Sequence, residues 1–504
     1  MTVARWKQGA AANGAALQGG LDASRCQSGA QLVGAVELAQ AALAGSGTSR
    51  LALLADNGVD WVVADLAAQS AAIPTIPLPS FFAPAQLAHA LDAAGVDCLL
   101  CHDHRIAAGL GFTPAGELAG TALRIARRAP ARAAPLPAGT SKVTFTSGTT
   151  GTPKGVCLGA DQQWAVARAI GGATRGLGLE RHLCLLPLPV LLENVAGIYA
   201  ALLEGATCIV PALAEVGLRG SSDFDAAKCL SAIDAAQASS VILLPQMLRA
   251  LLGAIAAGHP LPHSLRFAAV GGGRVAPALL AQSHALGLPA FEGYGLSECA
   301  SVVALNLPGA VRPGTVGRPL DHVRVRVDAG GEIEVAGNAS LGYLGGETAT
   351  AGEWLRTGDL GHIDEAGFLH IDGRRKNLII TSFGRNISPE WPESELLAGP
   401  AIAQAAVFGE ARPTLCAVLV PTSPALPDAA LQAQVDAANQ RLPDYARIGP
   451  WVRADAPFLA TNGLATSNGR VQRDAVKAAY AARLDGAYRQ AIDQQSGVQS
   501  DAVL

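Results

Sequence analysis

An alternation of strand-like and helix-like segments is the feature that most constrains the fold of this chain of 504 residues. From Leu51 to Arg105, short apolar runs typical of buried strands alternate with segments in which apolar residues recur at helical spacing. The same pattern returns between Gln162 and Leu288. Such alternation predicts parallel sheets covered by helices. We therefore expect an α/β fold over most of the first 300 residues.

A different pattern begins near Val316, where apolar and polar residues alternate with period two. The segments 322–335 and 361–372 each contain a glycine-bearing turn between two such stretches, which predicts two β-hairpins and hence a β-rich subdomain. After Arg374 the chain is typical of a small α+β unit of roughly 130 residues. We predict an N-terminal domain (1–373), a hinge (374–377), a C-terminal domain (378–495) and a loose polar tail (496–504).

Composition and charge exclude several classes of protein. Half of the residues are hydrophobic, which excludes a disordered chain, and the net charge of −4 argues against a nucleic-acid partner. Long apolar stretches such as Leu183–Leu192 contain prolines and are shorter than the ~20 residues of a membrane span. No apolar signal segment follows Met1. We expect a cytoplasmic protein with no integral membrane segment.

The nine cysteines do not form the pattern of a disulfide framework. Cys98 and Cys101, followed by His102 and His104, have side chains that suit zinc. However, residues 96–101 are typical of a strand, on which Cys98 and Cys101 would point to opposite faces. We therefore assign no metal there.

A glycine- and hydroxyl-rich segment lies between two predicted strands, at residues 146–155. It holds three glycines, five hydroxyl side chains, one lysine and no acidic residue. Backbone amides, hydroxyls and an ammonium group together favour a phosphate-binding loop over an ordinary hairpin turn. Pro153 stands where a Walker loop has its second glycine. The residues that we expect to contact phosphate are Thr146, Ser147, Gly148, Thr149, Thr150, Gly151 and Lys154.

This loop closely resembles the signature of the adenylate-forming enzymes, which include acyl-CoA synthetases, peptide-synthetase adenylation domains and luciferases. Further motifs follow in the order typical of that family, over roughly residues 50–475. They are Gly293-Tyr294-Gly295-Leu296-Ser297-Glu298, Trp354–Gly361 around Asp359, Asp372–Asn377 and Ser382–Pro389. The resemblance implies a large N-terminal lobe of helix-wrapped sheets and a small mobile C-terminal lobe.

The resemblance also assigns roles to these residues. Glu298 would hold Mg²⁺, a role that suits a hard carboxylate oxygen. Asp359, with two acceptor oxygens, would bind the ribose hydroxyls. The alternative for Glu298 is a solvated loop acid, which the motif disfavours, and the alternative for Asp359 is a turn-capping residue, against which only the resemblance decides. The remaining implied residues are Gly293, Tyr294, Gly295 and Ser297 at the adenine, Arg374 at phosphate or ribose, Lys376 at the hinge, and Gly384 and Arg385 on the coenzyme A side.

A second glycine cluster, Gly271-Gly272-Gly273, follows a predicted strand. With Ala276 it fits the dinucleotide-binding pattern G-x-G-x-x-A, and Glu292 lies about twenty residues further on, as in that fold. An oxidoreductase is therefore an alternative of a different class. The resemblance instead places Gly271 and Gly272 behind the adenine.

The C-terminal segment departs from the family pattern at Arg470, where the family usually has a catalytic lysine. Arginine keeps the charge but is planar and bulkier, so we predict slowed adenylation. A second departure is the apolar stretch 186–195, where Val190 and Asn194 are candidates for the acyl pocket.

We therefore predict an ATP- and Mg²⁺-dependent acid–thiol ligase. It would convert a small-molecule carboxylic acid, most simply a fatty acid, to an acyl-adenylate and then to a coenzyme A thioester. Two alternatives stay open: transfer to an acyl carrier protein, and a nucleotide-binding pseudoenzyme, since Arg470 replaces the usual lysine.

Overall fold

The computed structural model describes residues 6–7, 16–22, 26–129, 134–146, 154–220, 223–346, 348, 352–466 and 469–500. It is an α/β fold in which two large mixed sheets, each with parallel central strands, are covered by helices, as predicted. Among the helices of the described residues, none combines the length and apolar character needed to cross a bilayer.

The eight-stranded sheet carries the predicted phosphate loop. Its central strands pair in parallel and its outer strands are antiparallel. In spatial order the strands are Gly342–Tyr343, Lys154–Gly159, Thr140–Thr146, Thr75–Pro77, Leu51–Leu54, Cys98–Cys101, Arg124–Arg127 and Thr113–Glu117.

The nine-stranded sheet carries both motifs predicted to surround adenine. Its middle strands are parallel, and the strand ending at Val270 places the glycine cluster at their carboxyl ends. In spatial order the strands are Arg318–Pro319, Ser301–Leu305, Ala290–Leu296, Phe267–Val270, Ser240–Leu243, Arg181–Leu183, Thr207–Ile209, Ala16–Gln18 and Cys26–Ser28.

The largest apolar core lies between these two sheets and encloses the helices Val59–Ser70 and Ala160–Thr174. Separate cores cover the other face of each sheet. Cys98 packs into the central core and Cys101 into the outer one, which confirms that they point to opposite faces. The other helices of this part are Gly29–Ala44, Pro84–Ala93, His104–Gly109, Leu192–Tyr199 (a π-helix), Ala200–Leu203, Leu213–Val216 (3₁₀), Ala226–Ala235, Pro245–Ala256, Pro277–Ala285 and Ser297–Cys299 (3₁₀).

A four-stranded antiparallel sheet follows and contains both predicted hairpins. Its strands are Arg324–Val327, Glu332–Ala336, Leu355–Ile363 and Leu369–Arg374. Asp328 and Asp364 accept backbone N–H groups within the two turns, which fixes each hairpin locally. A separate two-stranded ribbon joins Leu218–Arg219 to Asp223–Phe224.

The C-terminal α+β unit is built on the three-stranded sheet Ile402–Phe408, Leu415–Pro421 and Ile448–Arg453. A short ribbon pairs Ile379–Ile380 with Asn386–Ile387. The helices are Arg375–Asn377 (3₁₀), Glu390–Leu396, Asp428–Arg441, Asp444–Ala446 (3₁₀) and Arg473–Ser500.

Arg249, on the helix Pro245–Ala256, connects the larger part of the protein to this unit. Its guanidinium donates to the carbonyl oxygens of Leu397, Ile402 and Ala403 at 3.1, 3.0 and 3.1 Å. The last helix also includes residues 496–500, which the sequence assigned to a loose tail, because its glutamine- and serine-bearing end has no proline to terminate it. The predicted domain boundaries stay predictions.

Candidate active site

The phosphate loop is positioned by an antiparallel strand pair. Thr146 lies opposite Lys154 where the strands Thr140–Thr146 and Lys154–Gly159 meet, which confirms the predicted strand–loop–strand arrangement. Ser147, Gly148, Thr149, Thr150 and Gly151 lie outside the described residues. Their contact with phosphate therefore stays a prediction.

Lys154 and Glu298 are brought together through a tyrosine that the sequence analysis missed. The Lys154 ammonium lies 5.8 Å from the centre of the Tyr343 ring, and the Tyr343 hydroxyl donates to Glu298 Oε1 at 2.9 Å. Burial and the Glu298 charge raise the pKa of Tyr343 to about 12, so this hydroxyl keeps its proton. Tyr343 reaches the site because the strand Gly342–Tyr343 pairs with the strand that begins at Lys154.

Asp359 lies at the centre of a second set of contacts. It pairs across the hairpin with Arg374, whose Nε is 2.6 Å from Asp359 Oδ1, and the Tyr294 hydroxyl donates to Oδ2 at 2.6 Å. Burial raises the pKa of Asp359, while the positive charge of Arg374 and the Tyr294 hydrogen bond oppose that rise. The predicted adenine and ribose residues are thus in direct contact.

Glycine at 295 is required by the close approach of two strands. A Cβ at Gly295 would collide with the backbone carbonyl of Ser301 on the neighbouring strand. Ala300 and Ser301 themselves adopt positive φ angles of 58° and 120°, which are strained for residues with a side chain. The bend places Ser297 and Glu298 on the 3₁₀ turn Ser297–Cys299, beside the Tyr343 hydroxyl.

The second glycine cluster lies against this bend, since a Cβ at Gly271 would lie 3.7 Å from the Gly293 carbonyl oxygen. Gly272 has a φ of +83°. Glu292, the candidate ribose ligand of a dinucleotide fold, is instead buried and accepts the Val275 backbone N–H at 3.1 Å. Burial raises the pKa of Glu292 to about 8. Its carboxyl group thus stabilises the glycine turn, which weighs against the oxidoreductase alternative.

Arg470 is directed into the site from the C-terminal unit. A turn presents it, in which Gly469 N–H donates to the Thr466 carbonyl at 2.8 Å and Arg470 N–H to the Thr466 hydroxyl at 3.2 Å. Although part of the Arg470 side chain stays exposed, desolvation lowers its guanidinium pKa. The Arg374 charge lowers this pKa further, whereas the nearby Asp359 and Glu298 charges raise it. Arg470 therefore lies within electrostatic range of both predicted nucleotide-binding acids.

Lys376, the predicted hinge residue, lies in the 3₁₀ turn Arg375–Asn377, where desolvation and the Arg374 charge lower its pKa. Its hinge role stays a prediction. Gly373 just before it has a φ of +150°, and a Cβ there would collide with the Ser388 side chain. Gly384 and Arg385 lie in an exposed turn, with Arg385 stacked 5.6 Å from the Tyr445 ring. Their role on the coenzyme A side stays a prediction.

Asn194 belongs to a buried polar network, which we call the core ion pair and which comprises Lys142, Asp65, Asn194 and Tyr199. The Lys142 ammonium lies 2.9 Å from Asp65 Oδ1 and also donates to the Asn194 amide oxygen. Asn194 and Tyr199 both donate to Asp65 Oδ2, at 3.1 and 2.7 Å. This corrects the assignment of Asn194 to the acyl pocket, because its amide is used inside the core. Val190, which is half-buried, stays a prediction.

A cavity of about 80 Å³ lies between the π-helix Leu192–Tyr199 and the nine-stranded sheet. It starts beside the glycine cluster, since the Leu192 side chain that lines it is 3.6 Å from where a Gly271 Cβ would stand. Most of its walls are aliphatic, including Leu192, Ala196, Ile242, Ala269, Val302 and Leu305. We call this the sheet–helix cavity.

Four polar residues, Thr174, His182, Glu204 and Ser240, interrupt the aliphatic walls. His182 Nε2 is 2.8 Å from Glu193 Oε1, and His182 Nδ1 is 3.1 Å from the Ser240 hydroxyl. His182, Cys184 and Glu193 have donor atoms within 4.8 Å of one another, as a metal site would. Since Glu193 already accepts from His182 and from the amides of Leu185 and Leu186, we assign no metal there.

The fold and these contacts define an α/β protein with a nucleotide-binding type of site beside a small C-terminal unit. Residues 28–344 match the model of the AMP-binding enzyme family, and residues 376–492 match that of the AMP-binding enzyme C-terminal domain. The chain therefore belongs to the AMP-binding enzyme family, as the motifs predicted.

Curated relatives include a 2-succinylbenzoate–CoA ligase of Bacillus pumilus, 32% identical over 289 residues, which are 54% of this chain and 56% of that ligase. The long-chain-fatty-acid–CoA ligase FadD15 of Mycobacterium bovis is 41% identical over 158 residues, 30% of this chain and 26% of that ligase. The chain thus matches little more than half the length of the first relative.

Solved structures support the fold over nearly the whole chain. The o-succinylbenzoate CoA synthetase MenE of Bacillus subtilis, bound to an acyl-adenylate intermediate, has a TM-score of 0.73 and 23% identity, covering 94% of this chain and 97% of its own. The amide bond synthetase McbA of Marinactinospora thermotolerans has a TM-score of 0.73 and 26% identity, covering 95% and 99%.

Proposed function

We propose that this protein is an ATP- and Mg²⁺-dependent acid–thiol ligase that forms an acyl-adenylate and then a coenzyme A thioester. One observation carries the proposal. Residues predicted from separate motifs contact one another, since Asp359 bonds to Arg374 and to Tyr294 at 2.6 Å each. Tyr343 contacts both Lys154 and Glu298.

The nucleotide would bind across this cluster. Asp359 would accept the ribose hydroxyls, and the Tyr294 ring beside Gly271 and Gly293 would contact the adenine. Lys154 and the preceding loop would hold the phosphates. Glu298, a half-buried carboxylate, fits Mg²⁺, which would neutralise part of the triphosphate charge.

The chemistry follows from the poor reactivity of a carboxylate. A carboxylate oxygen forms a bond to the α-phosphorus, the bond to pyrophosphate breaks, and an acyl-adenylate results. The thiolate sulfur of coenzyme A then bonds to the acyl carbon, and AMP leaves with the electron pair. Negative charge develops on the α-phosphate oxygens in the first step, and Lys154 and Arg470 are the cations placed to stabilise it.

The sheet–helix cavity would hold the acyl group. A cavity of about 80 Å³ has about half the volume of the ~150 Å³ cavity that holds a benzene ring. This size favours a short aliphatic acid over a long-chain fatty acid. The named relatives, whose substrates include 2-succinylbenzoate and long-chain fatty acids, do not decide between aromatic and aliphatic acids.

The experiment is ATP–pyrophosphate exchange with a panel of short aliphatic and aromatic acids, followed by addition of coenzyme A or a holo acyl carrier protein. We expect acid-dependent exchange and a thioester on coenzyme A. A thioester formed on the carrier alone would support the acyl carrier alternative. Absence of exchange with every acid would contradict the ligase proposal. Asp359→Ala, which removes the ribose acceptor, is the negative control.

A second candidate function, a pseudoenzyme that binds ATP without transferring AMP, is favoured only by Arg470. We expect the natural protein to catalyse exchange and Arg470→Lys to increase the rate several-fold, because a compact ammonium approaches the α-phosphate more closely. Tight ATP binding measured by calorimetry, with no exchange in either protein, would support the pseudoenzyme.

A further inference from the structure

His182 and Ser240 form a polar point in the wall of the sheet–helix cavity. Ser240 and Phe267 are the first residues of neighbouring parallel strands, whereas Gly271 follows the end of the second strand. His182 pairs directly with Ser240 in the register. The polar point therefore lies at the opposite end of the strands from the glycine cluster, where the reacting carboxylate would be.

The hydrogen bonds at this point determine which partner it requires. Glu193 is completely buried, and its Oε2 accepts the backbone N–H groups of Leu185 and Leu186 at 3.2 and 2.9 Å. Its Oε1 therefore accepts the remaining proton, from His182 Nε2 at 2.8 Å.

Ser240 lines the cavity, and its hydroxyl lies 3.1 Å from His182 Nδ1. A serine hydroxyl has one proton and two lone pairs, so this single contact leaves part of its hydrogen-bonding capacity unused. A fully apolar ligand would cover this capacity without satisfying it, which costs free energy.

The backbone of the π-helix makes room for this arrangement. A Cβ at Gly197 would collide with both the Glu193 carboxylate and the His182 ring. Glycine at this position therefore leaves room for the His182–Glu193 pair beside the cavity. The polar point is built by three separate segments: the strand of His182, the strand of Ser240 and the π-helix.

We propose that the acid activated by this protein carries a hydroxyl group at its distal end, which forms a hydrogen bond with Ser240. A hydroxyl group can both donate and accept, so it matches the Ser240 hydroxyl in either role. The inference rests on the proposed function, since the sheet–helix cavity must be the acyl pocket. A hydroxyl fits better than an ammonium group, because the nearby Glu193 carboxylate is already used and Glu204, the acid in the cavity wall, pairs with Arg175 at 2.9 Å.

The test compares acids of equal size that differ only in a terminal hydroxyl or methyl group. Suitable pairs are 6-hydroxyhexanoate with heptanoate, 8-hydroxyoctanoate with nonanoate, and 4-hydroxybenzoate with 4-methylbenzoate. We expect kcat/KM in pyrophosphate exchange to favour the hydroxylated member of at least one pair by about tenfold. Ser240→Ala should abolish this preference, so that kcat/KM becomes equal for the two members of each pair.

Ser239→Ala is the matched control, because the Ser239 hydroxyl bonds to the backbone of Arg181 and is absent from the cavity wall. It should leave the preference unchanged. Equal or better activity on every methyl acid would overturn the inference, as would a hydroxyl preference that survives in Ser240→Ala.

Failure of exchange with every acid would instead refute the proposed function. The inference would then be decided by calorimetric binding of the same pairs to the natural protein and to Ser240→Ala. Preferential binding of the hydroxylated acid, lost in the variant, would support it, and indifference would overturn it.

Discussion

Two clusters of charged side chains in this protein contain similar groups but differ in their exposure to solvent. In the core ion pair, the Lys142 and Asp65 side chains are 2% and 1% exposed. In what we call the site cluster, formed by Glu298, Asp359, Arg374 and Arg470, the Arg374 side chain is 41% exposed although its partner Asp359 is 5% exposed. The first cluster is closed to solvent and the second opens on one side.

The difference teaches how burial separates structural from functional charges. Desolvation lowers the pKa of Lys142, and the Asp65 carboxylate opposes that shift. Asn194 and Tyr199 supply further contacts, so the core ion pair is neutralised from within. In the site cluster, the exposed surfaces of Arg374 and Arg470 remain accessible to an anion such as a phosphate.

Breaking the core ion pair should have the largest effect. Lys142→Met leaves the Asp65 carboxylate buried without its cation, and we expect a loss of about 3–5 kcal/mol in the free energy of unfolding. Urea denaturation measures it. Lys477→Met, at an exposed lysine of the last helix, is the control. The double variant Lys142→Met/Asp65→Leu should recover most of the loss, and a stable single variant would contradict this role.

Removing the Arg470 cation from the site cluster should lower activity and leave stability nearly unchanged. We expect Arg470→Ala to lower the rate of ATP–pyrophosphate exchange by about 100-fold, because charge on the α-phosphate loses a stabilising group. The free energy of unfolding should change by less than about 0.5 kcal/mol. Arg489→Ala, exposed on the last helix, is the control. A large loss of stability with an unchanged rate of exchange would show that Arg470 has a structural role and not a functional one.

Glu292 lies between the two extremes, as a buried acid next to the site. Its pKa is raised from 4.5 to about 8, so the folded protein holds a proton that the unfolded chain releases. Its stabilising contribution is complete below the unfolded pKa and is lost as pH rises through the folded pKa. Glu292→Gln should therefore lose less stability than the natural protein between pH 6 and 9, by about 1–3 kcal/mol.

Unfolding curves at several pH values measure this difference. The glutamine keeps an acceptor for the Val275 N–H, so the comparison isolates the proton. Parallel stability profiles for the two proteins would show that Glu292 stays ionised in the folded state.

The smallest effect is expected at Tyr343. Its hydroxyl donates to Glu298, and Tyr343→Phe removes this orienting contact while keeping the ring beside Lys154. We expect the Mg²⁺ concentration for half-maximal exchange to rise about threefold, with little change in the maximal rate. Tyr445→Phe, in the C-terminal unit, should have no effect. An unchanged Mg²⁺ dependence in Tyr343→Phe would exclude this orienting role.

Local sequence patterns predicted the parts of this protein that local interactions determine. The hairpin 322–335, the strand pair around the phosphate loop and the opposed faces of Cys98 and Cys101 were all predicted correctly, because each depends on neighbours along the chain. The ordered motifs also predicted that Tyr294, Asp359 and Arg374 would meet.

Contacts between distant segments were not predictable from those patterns. Tyr343 has no motif of its own and reaches Glu298 only through strand pairing. Asn194 lies on a helix that does line the cavity, through Leu192 and Ala196, but its side chain points to Lys142. Which face of a mainly apolar π-helix meets the core depends on Asp65 and Lys142, which come from two other elements.

The Arg249 side chain has a consequence for any reorientation of the C-terminal unit. Three main-chain carbonyls accept from one largely buried guanidinium, so turning this unit away breaks three charge-assisted hydrogen bonds together. Water must enter this contact to solvate the released cation before the unit can move. The rate of rearrangement would then depend on breaking the Arg249 contact. Because its three acceptors are backbone carbonyls, side-chain substitutions in the C-terminal unit would leave them in place.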